Sequence, residues 1–482
     1  MQSLPLAPAA SRPRSGWLPP AAVQAALLLF MVIYYAAALS RARFDPFAPV
    51  GFGLTFNSML EHLLNGQFDV DPATVGLEGF ARQGHVYAYW GIWCALLRLP
   101  LLAIPGGMQH DVTAISCLVA ITLAGFVKIR ALFVLRAMSP ASRFGNLLFV
   151  CMVSYIVLGG AEISNLIPTI YTEVVFWAYA WATLFVYCAL LGLVHGWFST
   201  GRLAAMAAFS GLALLTRVST ATGLYAALGM LTLVLIVQTR RWPIVAVAWL
   251  ILTLFAAVTG FVNFERWGNP LLFQDLQSYL YVQMHPDRLA RFTAYGLFSL
   301  ARLPYGLLYY FLPIWGLPGA DGQTLLAPAE LRLFDALEMP PSSFLLTDLL
   351  PIGLAVACLW RVLRRARLVA VWPTLALLAG LLIPWALMLS AWTLAQRYRM
   401  EFYPALDLLA LLAFHVFSAR PPAWPRFRNA VIGATLISIA GAHASLFLYE
   451  LSDLGDAHPR FEQGAVSYYR SKLAKGLGKP SL

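Results

Sequence analysis

Three arginines lie where the surrounding sequence is apolar, so each guanidinium should need a partner. Arg217 interrupts a long apolar run, and Arg397 and Arg399 stand two residues apart just before another run. Ionisable groups among membrane helices are costly to bury, and they are therefore expected to be paired. Phosphate oxygens match the planar fork of a guanidinium, so these arginines predict a phosphate-binding site. The alternative for Arg397 is a helical i,i+4 pair with Glu401.

Three carboxylates occupy positions that either chemistry or helix capping would use. Asp45 precedes a proline shortly after the first apolar run, and the alternative to a catalytic role is a simple turn. Glu78 lies just before an aromatic stretch. Glu173 begins an apolar helix, where the helix dipole alone would stabilise its charge. A fourth acid, Asp407, lies inside a predicted helix and is expected to have an internal partner.

Metal ligation is weakly indicated. Asp69 and Asp71 bracket a valine and could contribute to a divalent-cation site, but two carboxylates make an incomplete shell, and a solvated loop is the favoured interpretation. His62 and His85 have no third ligand at a spacing typical of zinc sites. We therefore predict neither a metal nor another cofactor.

An aromatic stretch follows Glu78. Tyr87, Tyr89 and Trp90 could stack on sugar rings in a cavity. The alternative is an aromatic belt at the membrane–water interface, where tyrosine and tryptophan are enriched.

The composition identifies the environment in which these residues act. Of 482 residues, 60% are hydrophobic and 11% are charged, and the mean hydropathy is +0.71. Soluble proteins carry roughly a quarter charged residues. The five cysteines all lie in apolar runs and show no paired spacing. The net charge of +11 comes from bases scattered over short loops, which membrane orientation explains better than nucleic-acid binding.

Eleven apolar runs are long enough to predict membrane-crossing helices in one continuous membrane domain, residues 1–482. They are Ala21–Leu39, Val112–Leu135, Gly145–Gly160, Glu173–Trp197, Leu203–Thr216, Val218–Val237, Pro243–Val262, Leu345–Leu363, Val369–Trp392, Glu401–Phe417 and Ala430–Leu448. The predicted fold class is an all-α polytopic membrane protein.

The distribution of charge predicts the orientation. With a cytoplasmic N-terminus, the loops and helix ends assigned to the inside carry Lys128, Arg130, Arg136 and further arginines, as the positive-inside rule requires. None of the 22 acidic residues falls in these inner segments. We therefore predict a multi-pass protein of the plasma membrane, with its C-terminus outside.

This orientation places two long segments and a tail on the outer side: residues 40–111, 263–344 and 449–482. Within the first, apolar residues recur at helical spacing from Leu54 to Leu64, and Asn65-Gly66 ends the pattern. Tyr87–Pro105 and Phe292–Trp315 are also apolar, but a crossing at either would place the basic loops outside. We therefore interpret both as helices lying in the outer leaflet.

Several motifs resemble the GT-C superfamily, the membrane glycosyltransferases that use polyprenyl-phosphate-linked sugars. The first helix is followed by a short helix of the form ML..L..G.FDV and then by Y.YWG....LLRLPLL. The layout is similar to that of protein O-mannosyltransferases and lipid A aminoarabinose transferases. Further echoes are Tyr171-Thr172-Glu173, Leu215-Thr216-Arg217, the stretch 263–270 and the stretch 396–404.

The resemblance implies an inverting displacement at the anomeric carbon, with an acid just beyond the first helix as base or acceptor-orienting group. A hydroxyl is a poor nucleophile until a carboxylate takes its proton, whereas a phosphate leaving group needs cations. Asp45 lies in the corresponding zone. Relatives often carry an Asp-Glu pair where this chain has Gly51 and Phe52, so Glu78 and Glu173 remain alternatives for the base.

The functional expectation is therefore transfer of a sugar from a polyprenyl-phosphate carrier to a glycan, lipid or protein acceptor at the outer membrane surface. Arg217, Arg397 and Arg399 would hold the carrier phosphate. Two alternatives remain: a transporter or flippase of a lipid-linked saccharide, and a polysaccharide polymerase or ligase. A transporter should show ionisable groups or broken helices near the membrane midplane.

Overall fold

The computed structural model describes residues 20–139, 142–240, 242–313, 326, 329, 332–338, 342–364, 371–419, 425–451 and 465–476. Its helices up to residue 267 are α1 Pro20–Leu39, α2 Thr55–Leu64, α3 Pro72–Val75, α4 Trp93–Leu96, α5 Thr113–Met138, α6 Arg143–Leu158, α7 Gly160–Ser164, α8 Ile170–His195, α9 Thr200–Leu214, α10 Val218–Thr239 and α11 Pro243–Trp267.

The later helices are α12 Leu280–Gln283, α13 Pro286–Tyr295, α14 Leu303–Phe311, α15 Phe344–Thr347, α16 Leu349–Arg364, α17 Val371–Leu381, α18 Ile383–Ser390, α19 Tyr403–Ala419, α20 Pro425–Leu451 and α21 Ala465–Gly476. Short 3-10 helices cover Gly76–Glu78, Leu99–Ala103, Gly107–Gln109, Leu276–Ser278, Leu300–Arg302 and Gln396–Glu401. Two small sheets pair β1 Phe80–Arg82 with β2 His85–Tyr87, antiparallel, and β3 Ala336–Leu337 with β4 Thr393–Leu394, parallel.

Each of the eleven predicted crossing segments coincides with helix, so the predicted all-α polytopic architecture is confirmed. Among the described residues, eight helices are long and apolar enough to cross a membrane. The remaining three segments correspond to α9, α16 and α19, which are shorter. The chain is therefore a multi-pass membrane protein.

Helix α8 lies at the centre of the helix assembly. In an apolar stretch of 18 residues within α8, 78% of the residues are buried, compared with 22% in the corresponding stretches of α1 and α11. It packs against α5, α9 and α19. Because α8 is enclosed, the polar side chains that it carries must find their partners inside the protein.

The predicted short helix after the first apolar run is confirmed as α2. It ends at Leu64, and Asn65 is followed by Gly66 at a φ of +72°, which a glycine adopts readily. Its first six residues, Thr55 to Leu60, are all buried. This buried first half of α2 anchors the 40–111 segment to the helix assembly.

The prediction of one helix over Tyr87–Pro105 is wrong in its first part. Tyr87 ends strand β2, and helical structure extends only from Trp93 to Ala103, with a change from α to 3-10 geometry. The backbone at Gly91 lies against the Leu215 carbonyl, which accepts a hydrogen bond of 2.9 Å from Trp93 N. This contact with the α9–α10 junction holds the chain extended before the helix can begin.

The predicted helix over Phe292–Trp315 is also interrupted, and Trp315 lies outside the described residues. Helix α13 ends before Gly296, whose φ is +65°, and α14 begins at Leu303. Between them Arg302 is buried and donates hydrogen bonds to backbone carbonyls, including that of Leu333 at 2.7 Å. Two of these carbonyls, those of Gly296 and Leu297, are ones that a continuous helix would have paired internally.

The close contact between α10 and α17 depends on a glycine. A Cβ built on Gly380 of α17 would lie 2.1 Å from the backbone nitrogen of Ala227 in α10. Small residues allow membrane helices to approach in this way, because van der Waals packing replaces the hydrophobic driving force.

We therefore expect Gly380→Ala to lower the stability of the protein by about 1–3 kcal/mol, because the α10 backbone must move to admit the methyl group. The matched control is Gly353→Ala in α16, where an added Cβ would have nothing within 4 Å. Thermal unfolding in detergent, followed by circular dichroism, measures both variants. Equal melting temperatures for the two variants would contradict the contact.

Candidate functional site

Glu78 ends the 3-10 helix Gly76–Glu78 and is half-buried. Its Oε2 accepts a hydrogen bond of 2.9 Å from the Tyr279 hydroxyl, and the Tyr171 side chain lies nearby. In the described part of the chain, no basic side chain lies within 4.0 Å of the carboxylate. Glu78 is thus a carboxylate bound by a phenol rather than by a cation.

Arg217 lies at the junction of α9 and α10, with its side chain 16% exposed. Its Nε donates to Glu401 Oε1 at 2.5 Å, and its guanidinium lies 5.1 Å from the centre of the Tyr398 ring. Ser219 and Thr220 donate to the same Glu401 carboxylate. The terminal nitrogens Nη1 and Nη2 of Arg217 have no hydrogen-bond partner among the described residues.

Arg397 lies at the second position of the 3-10 helix Gln396–Glu401 and pairs with Glu338 through Nη1. The pairing of β3 with β4 brings the two residues together. The guanidinium also lies 4.6 Å from the centre of the Tyr171 ring and 5.2 Å from that of Tyr398. The alternative of a helical pair between Arg397 and Glu401 is wrong, because each has a different partner.

Two tyrosines connect these groups into one cluster. The Tyr171 side chain lies near Glu78, and its ring lies against the Arg397 guanidinium, while the Tyr398 ring lies against both Arg397 and Arg217. We call Glu78, Tyr171, Arg217, Arg397 and Tyr398 the arginine–tyrosine cluster. Of the predicted site residues, the cluster contains one carboxylate and two arginines.

The predicted sugar-stacking residues adjoin the arginine–tyrosine cluster. Burial, followed by the influence of Tyr398 and Glu78, raises the pKa of Tyr89, so its hydroxyl stays neutral and can donate. The Trp90 side chain is nearly buried, with rings of Phe56, Tyr89 and Tyr171 around it. Packing therefore occupies the faces that a sugar ring would need on Trp90.

Tyr87 and Tyr279 extend the aromatic wall. The Tyr87 ring lies 5.7 Å from Trp267, and Tyr279 stacks on Phe80 at 4.8 Å. Burial and then the Glu78 carboxylate raise the pKa of Tyr279, so the phenol remains a donor to that carboxylate.

Glu173 is enclosed rather than open to a cavity. Arg98 donates Nη1 to Oε1 at 2.5 Å and Nη2 to Oε2 at 2.9 Å, and both side chains are almost completely buried. Asn57 adds a 3.3 Å contact to Arg98 Nε. This bidentate geometry joins the 40–111 segment to α8 and favours the structural interpretation of Glu173.

Asp45 is exposed, and its Oδ1 accepts a hydrogen bond of 3.0 Å from the backbone nitrogen of Phe47. This is the local turn that the Asp-Pro alternative describes. Among the described residues, no hydrogen bond connects the Asp45 side chain to the arginine–tyrosine cluster.

Arg399 points away from the other two arginines. It is fully buried, its Nη2 donates to Asp348 Oδ2 at 2.7 Å, and its guanidinium lies 4.3 Å from the centre of the Phe344 ring. A 3-10 helix has three residues per turn, so residues two apart, such as Arg397 and Arg399, project from different sides.

Further inside the protein, Lys128 pairs with Glu162 at 2.5 Å and lies 3.7 Å from Asp407. The expectation that Lys128 marks an inner helix end is wrong, because its side chain is buried against these acids. The expected internal partner of Asp407 is confirmed: Tyr179 donates to it at 2.7 Å. We call the five buried charged residues of this region the buried charge network: Lys128, Glu162, Asp348, Arg399 and Asp407.

The residues considered for a divalent cation have other partners. Asp69 accepts hydrogen bonds of 2.7 Å from Nδ1 of His62 and of His85, one on each oxygen. Burial opposes ionisation, but these hydrogen bonds hold the pKa of Asp69 below its usual range. Asp71 caps helix α3 through Ala73 N. Among the described residues, no group of three or more His, Cys, Asp or Glu side chains is arranged to hold a metal ion.

Sequence reasoning missed several members of this site. Tyr171 and Tyr398 lie in motifs that were singled out, but no role was assigned to them. Glu338 lies in the 263–344 segment, 59 residues before its partner Arg397. The sequence around Glu338 carries no pattern that points to a distant arginine, so this contact could not be inferred.

Comparison with known proteins identifies the fold. No protein-family model matches the chain, and no curated protein matches it by sequence. The archaeal oligosaccharyltransferase AglB from Archaeoglobus fulgidus, solved with an inhibitory peptide and a dolichol-phosphate, is 12% identical, with 88% of this chain and 55% of that chain covered at a TM-score of 0.50. ArnT from Cupriavidus metallidurans, bound to undecaprenyl phosphate, is 14% identical, with 95% and 70% covered at a TM-score of 0.49.

The chain thus spans little more than half the length of the oligosaccharyltransferase. At this level of identity the likeness concerns the fold. It confirms the predicted GT-C-like arrangement of membrane helices.

We expect Glu173→Gln to destabilise the protein by about 3–5 kcal/mol, because Arg98 would be left buried without its counter-charge. The double variant Arg98→Met/Glu173→Leu should recover part of this loss, since it removes both charges. Thermal unfolding of the purified proteins provides the comparison. If Glu173→Gln has the stability of the wild type, the ion pair does not hold the 40–111 segment in place.

Proposed function

We propose that this protein transfers a sugar from a polyprenyl-phosphate carrier to a hydroxyl-bearing or other nucleophilic acceptor on a glycan, lipid or protein. The observation that carries the proposal is the arginine–tyrosine cluster, which combines a carboxylate without a cationic partner with two arginines. The fold is shared with an oligosaccharyltransferase whose structure contains a dolichol-phosphate. We base the proposed polyprenyl-phosphate donor on the arginine–tyrosine cluster together with this shared fold.

Glu78 is the proposed base. Its carboxylate accepts a hydrogen bond from the neutral Tyr279 phenol, which leaves lone pairs for an acceptor proton. Glu173 and Asp348, by contrast, are each bound to an arginine. A carboxylate that already forms a buried ion pair is a weaker base, because its charged form is stabilised.

The proposed reaction is a single displacement. The acceptor oxygen forms a bond to the anomeric carbon while the bond from that carbon to the phosphate oxygen breaks. The acceptor proton passes to Glu78, and the electron pair of the broken bond remains on the carrier phosphate. Attack opposite the leaving group inverts the anomeric configuration.

Arg217 and Arg397 are the proposed contacts of the carrier phosphate. Arg217 pairs with Glu401 through Nε only, so both terminal nitrogens are available to an anion. Cations at a leaving phosphate stabilise charge that grows during the displacement. Arg399, which pairs with Asp348 in the interior, is not proposed as a phosphate contact.

A second candidate function is a flippase or transporter of a lipid-linked saccharide. The buried charge network favours it, because ionisable residues within membrane helices often line substrate or proton pathways. Reconstitution in liposomes separates the two functions: an enzyme forms a new glycosidic product, whereas a flippase only changes the side on which the labelled lipid is accessible. A polymerase or ligase would use the same displacement and differ in its acceptor.

We expect Glu78→Gln to reduce transfer by about 100- to 10,000-fold, the usual contribution of a general base, with the fold retained. The assay uses purified protein in lipid with a polyprenyl-phosphate-linked sugar. Glu61→Gln is the matched control, because Glu61 is an exposed acid on α2. Asp45→Asn is the competing variant: loss of turnover there, with Glu78→Gln active, would move the base to Asp45.

We expect Arg217→Lys to raise the KM for the donor by about tenfold, since a lysine keeps the charge but loses the planar fork. Arg217→Gln should raise it further. Arg202→Gln, which removes an arginine stacked on Trp197 elsewhere in the protein, is the control. An unchanged donor KM in both Arg217 variants would remove Arg217 from the phosphate site.

A further inference from the structure

The 3-10 helix Gln396–Glu401 presents side chains to two different regions. Arg397 and Tyr398 belong to the arginine–tyrosine cluster, whereas Arg399 enters the buried charge network. Such a helix is short and has poorer hydrogen-bond geometry than an α-helix, so side-chain contacts largely determine where it lies.

Asp348 receives an unusual number of donors for one carboxylate. The Tyr155 hydroxyl donates to Oδ1 at 2.5 Å, and Oδ2 accepts from Arg399 at 2.7 Å and from Tyr403 at 3.1 Å, with Thr347 at 2.5 Å. The side chain is fully buried. Because the donors come from α6, α15, α19 and the 3-10 helix, Asp348 is fixed relative to all four elements.

Asp348 therefore determines the orientation of Arg399. Arg399 Nη2 donates to both Asp348 and Thr347, whereas Nε and Nη1 have no hydrogen-bond partner in the described part of the chain. The Phe344 ring covers one face of the guanidinium. The contacts with Asp348, Thr347 and Phe344 hold the Arg399 guanidinium in one place, and the Arg399 side chain thereby ties the 3-10 helix to Asp348.

Among the other side-chain contacts of the 3-10 helix, two anchors include residues of the arginine–tyrosine cluster. Glu338 accepts from Gln396 N and pairs with Arg397, and Glu401 pairs with Arg217. Changing either anchor would alter the proposed phosphate contacts directly. The Asp348–Arg399 pair has no atom in the cluster, so its effect can be separated from theirs.

We infer that Asp348 and Arg399 are positioning residues, which set the place of Arg397 and Tyr398 in the donor site without touching the donor. The inference rests on the proposed function for its kinetic consequence, but its structural consequence can be measured without any substrate. A misplacement of about 1 Å in such a site can reduce rates by about 100-fold.

The experiment compares Asp348→Asn, Arg399→Lys and the double variant Asp348→Asn/Arg399→Gln with the wild-type protein in lipid nanodiscs. The double variant leaves no unpaired charge, so it remains informative where a single variant fails to fold. The control is Asp287→Asn, which weakens the i,i+4 pair between the exposed Asp287 and Arg291. Hydrogen–deuterium exchange and steady-state kinetics with varied donor concentration are the two measurements.

In the double variant we expect faster amide exchange in residues 393–403, with the exchange of α8 and α10 unchanged. The kcat/KM for the donor should fall by about 10- to 100-fold, because a displaced Arg397 both binds the carrier phosphate less well and stabilises less of the charge that grows on it. Arg399→Lys should give a smaller loss of kcat/KM, since it keeps the charge opposite Asp348.

Unchanged exchange in residues 393–403 in the folded double variant would overturn the inference. An unchanged kcat/KM for the donor in the folded double variant, with sugar transfer intact, would also overturn it. If the wild-type protein transfers no sugar from any polyprenyl-phosphate donor, the proposed function fails. The exchange measurement then still decides whether the pair positions the 3-10 helix.

Discussion

A charge among apolar helices has to be neutralised within hydrogen-bond distance, because removing an ion from water costs several kcal/mol. In this protein that requirement joins segments far apart in the sequence. Arg217 and Glu401 are 184 residues apart, and Arg98 and Glu173 are 75 apart. The Arg98–Glu173 pair attaches the 40–111 segment to α8, and the Arg217–Glu401 pair attaches the α9–α10 junction to the 3-10 helix Gln396–Glu401, which carries Arg397 and Tyr398.

The two charged regions differ in how far their unpaired atoms are exposed. In the buried charge network, Asp348 accepts from four donors, and the unpaired Nε and Nη1 of Arg399 are fully enclosed, which suits a structural support. In the arginine–tyrosine cluster, Glu78 accepts a hydrogen bond from the Tyr279 phenol, and the partly exposed Arg217 keeps two terminal nitrogens unpaired among the described residues. A substrate can bind only to hydrogen-bonding groups that are unpaired and partly exposed. We therefore place the proposed chemistry at the cluster.

Hydropathy was sufficient to predict the crossing helices, because a long apolar run in a membrane protein has essentially one stable form. It was not sufficient over Tyr87–Pro105 and Phe292–Trp315, where tertiary contacts interrupt the apolar runs. Burial also predicted correctly that Asp407 has an internal partner. The identity of partners could not be predicted in this way. Local spacing suggested that Arg397 pairs with Glu401, but strand pairing brings Glu338 to Arg397, and the α9–α10 junction brings Arg217 to Glu401. Such contacts depend on tertiary packing, about which i,i+4 spacing carries no information.

The acids that hold the arginines also bear on how a phosphate would be released. Glu338 and Glu401 each occupy one edge of an arginine, so the positive potential at the proposed phosphate site is weaker than two free arginines would produce. Binding donor and transition state equally tightly would not accelerate the chemical step. The carrier phosphate gains charge as the sugar leaves, and hydrogen bonds to the growing charge strengthen at that moment. Arginines partly neutralised by Glu338 and Glu401 therefore favour the leaving group during transfer and still allow the spent carrier to dissociate.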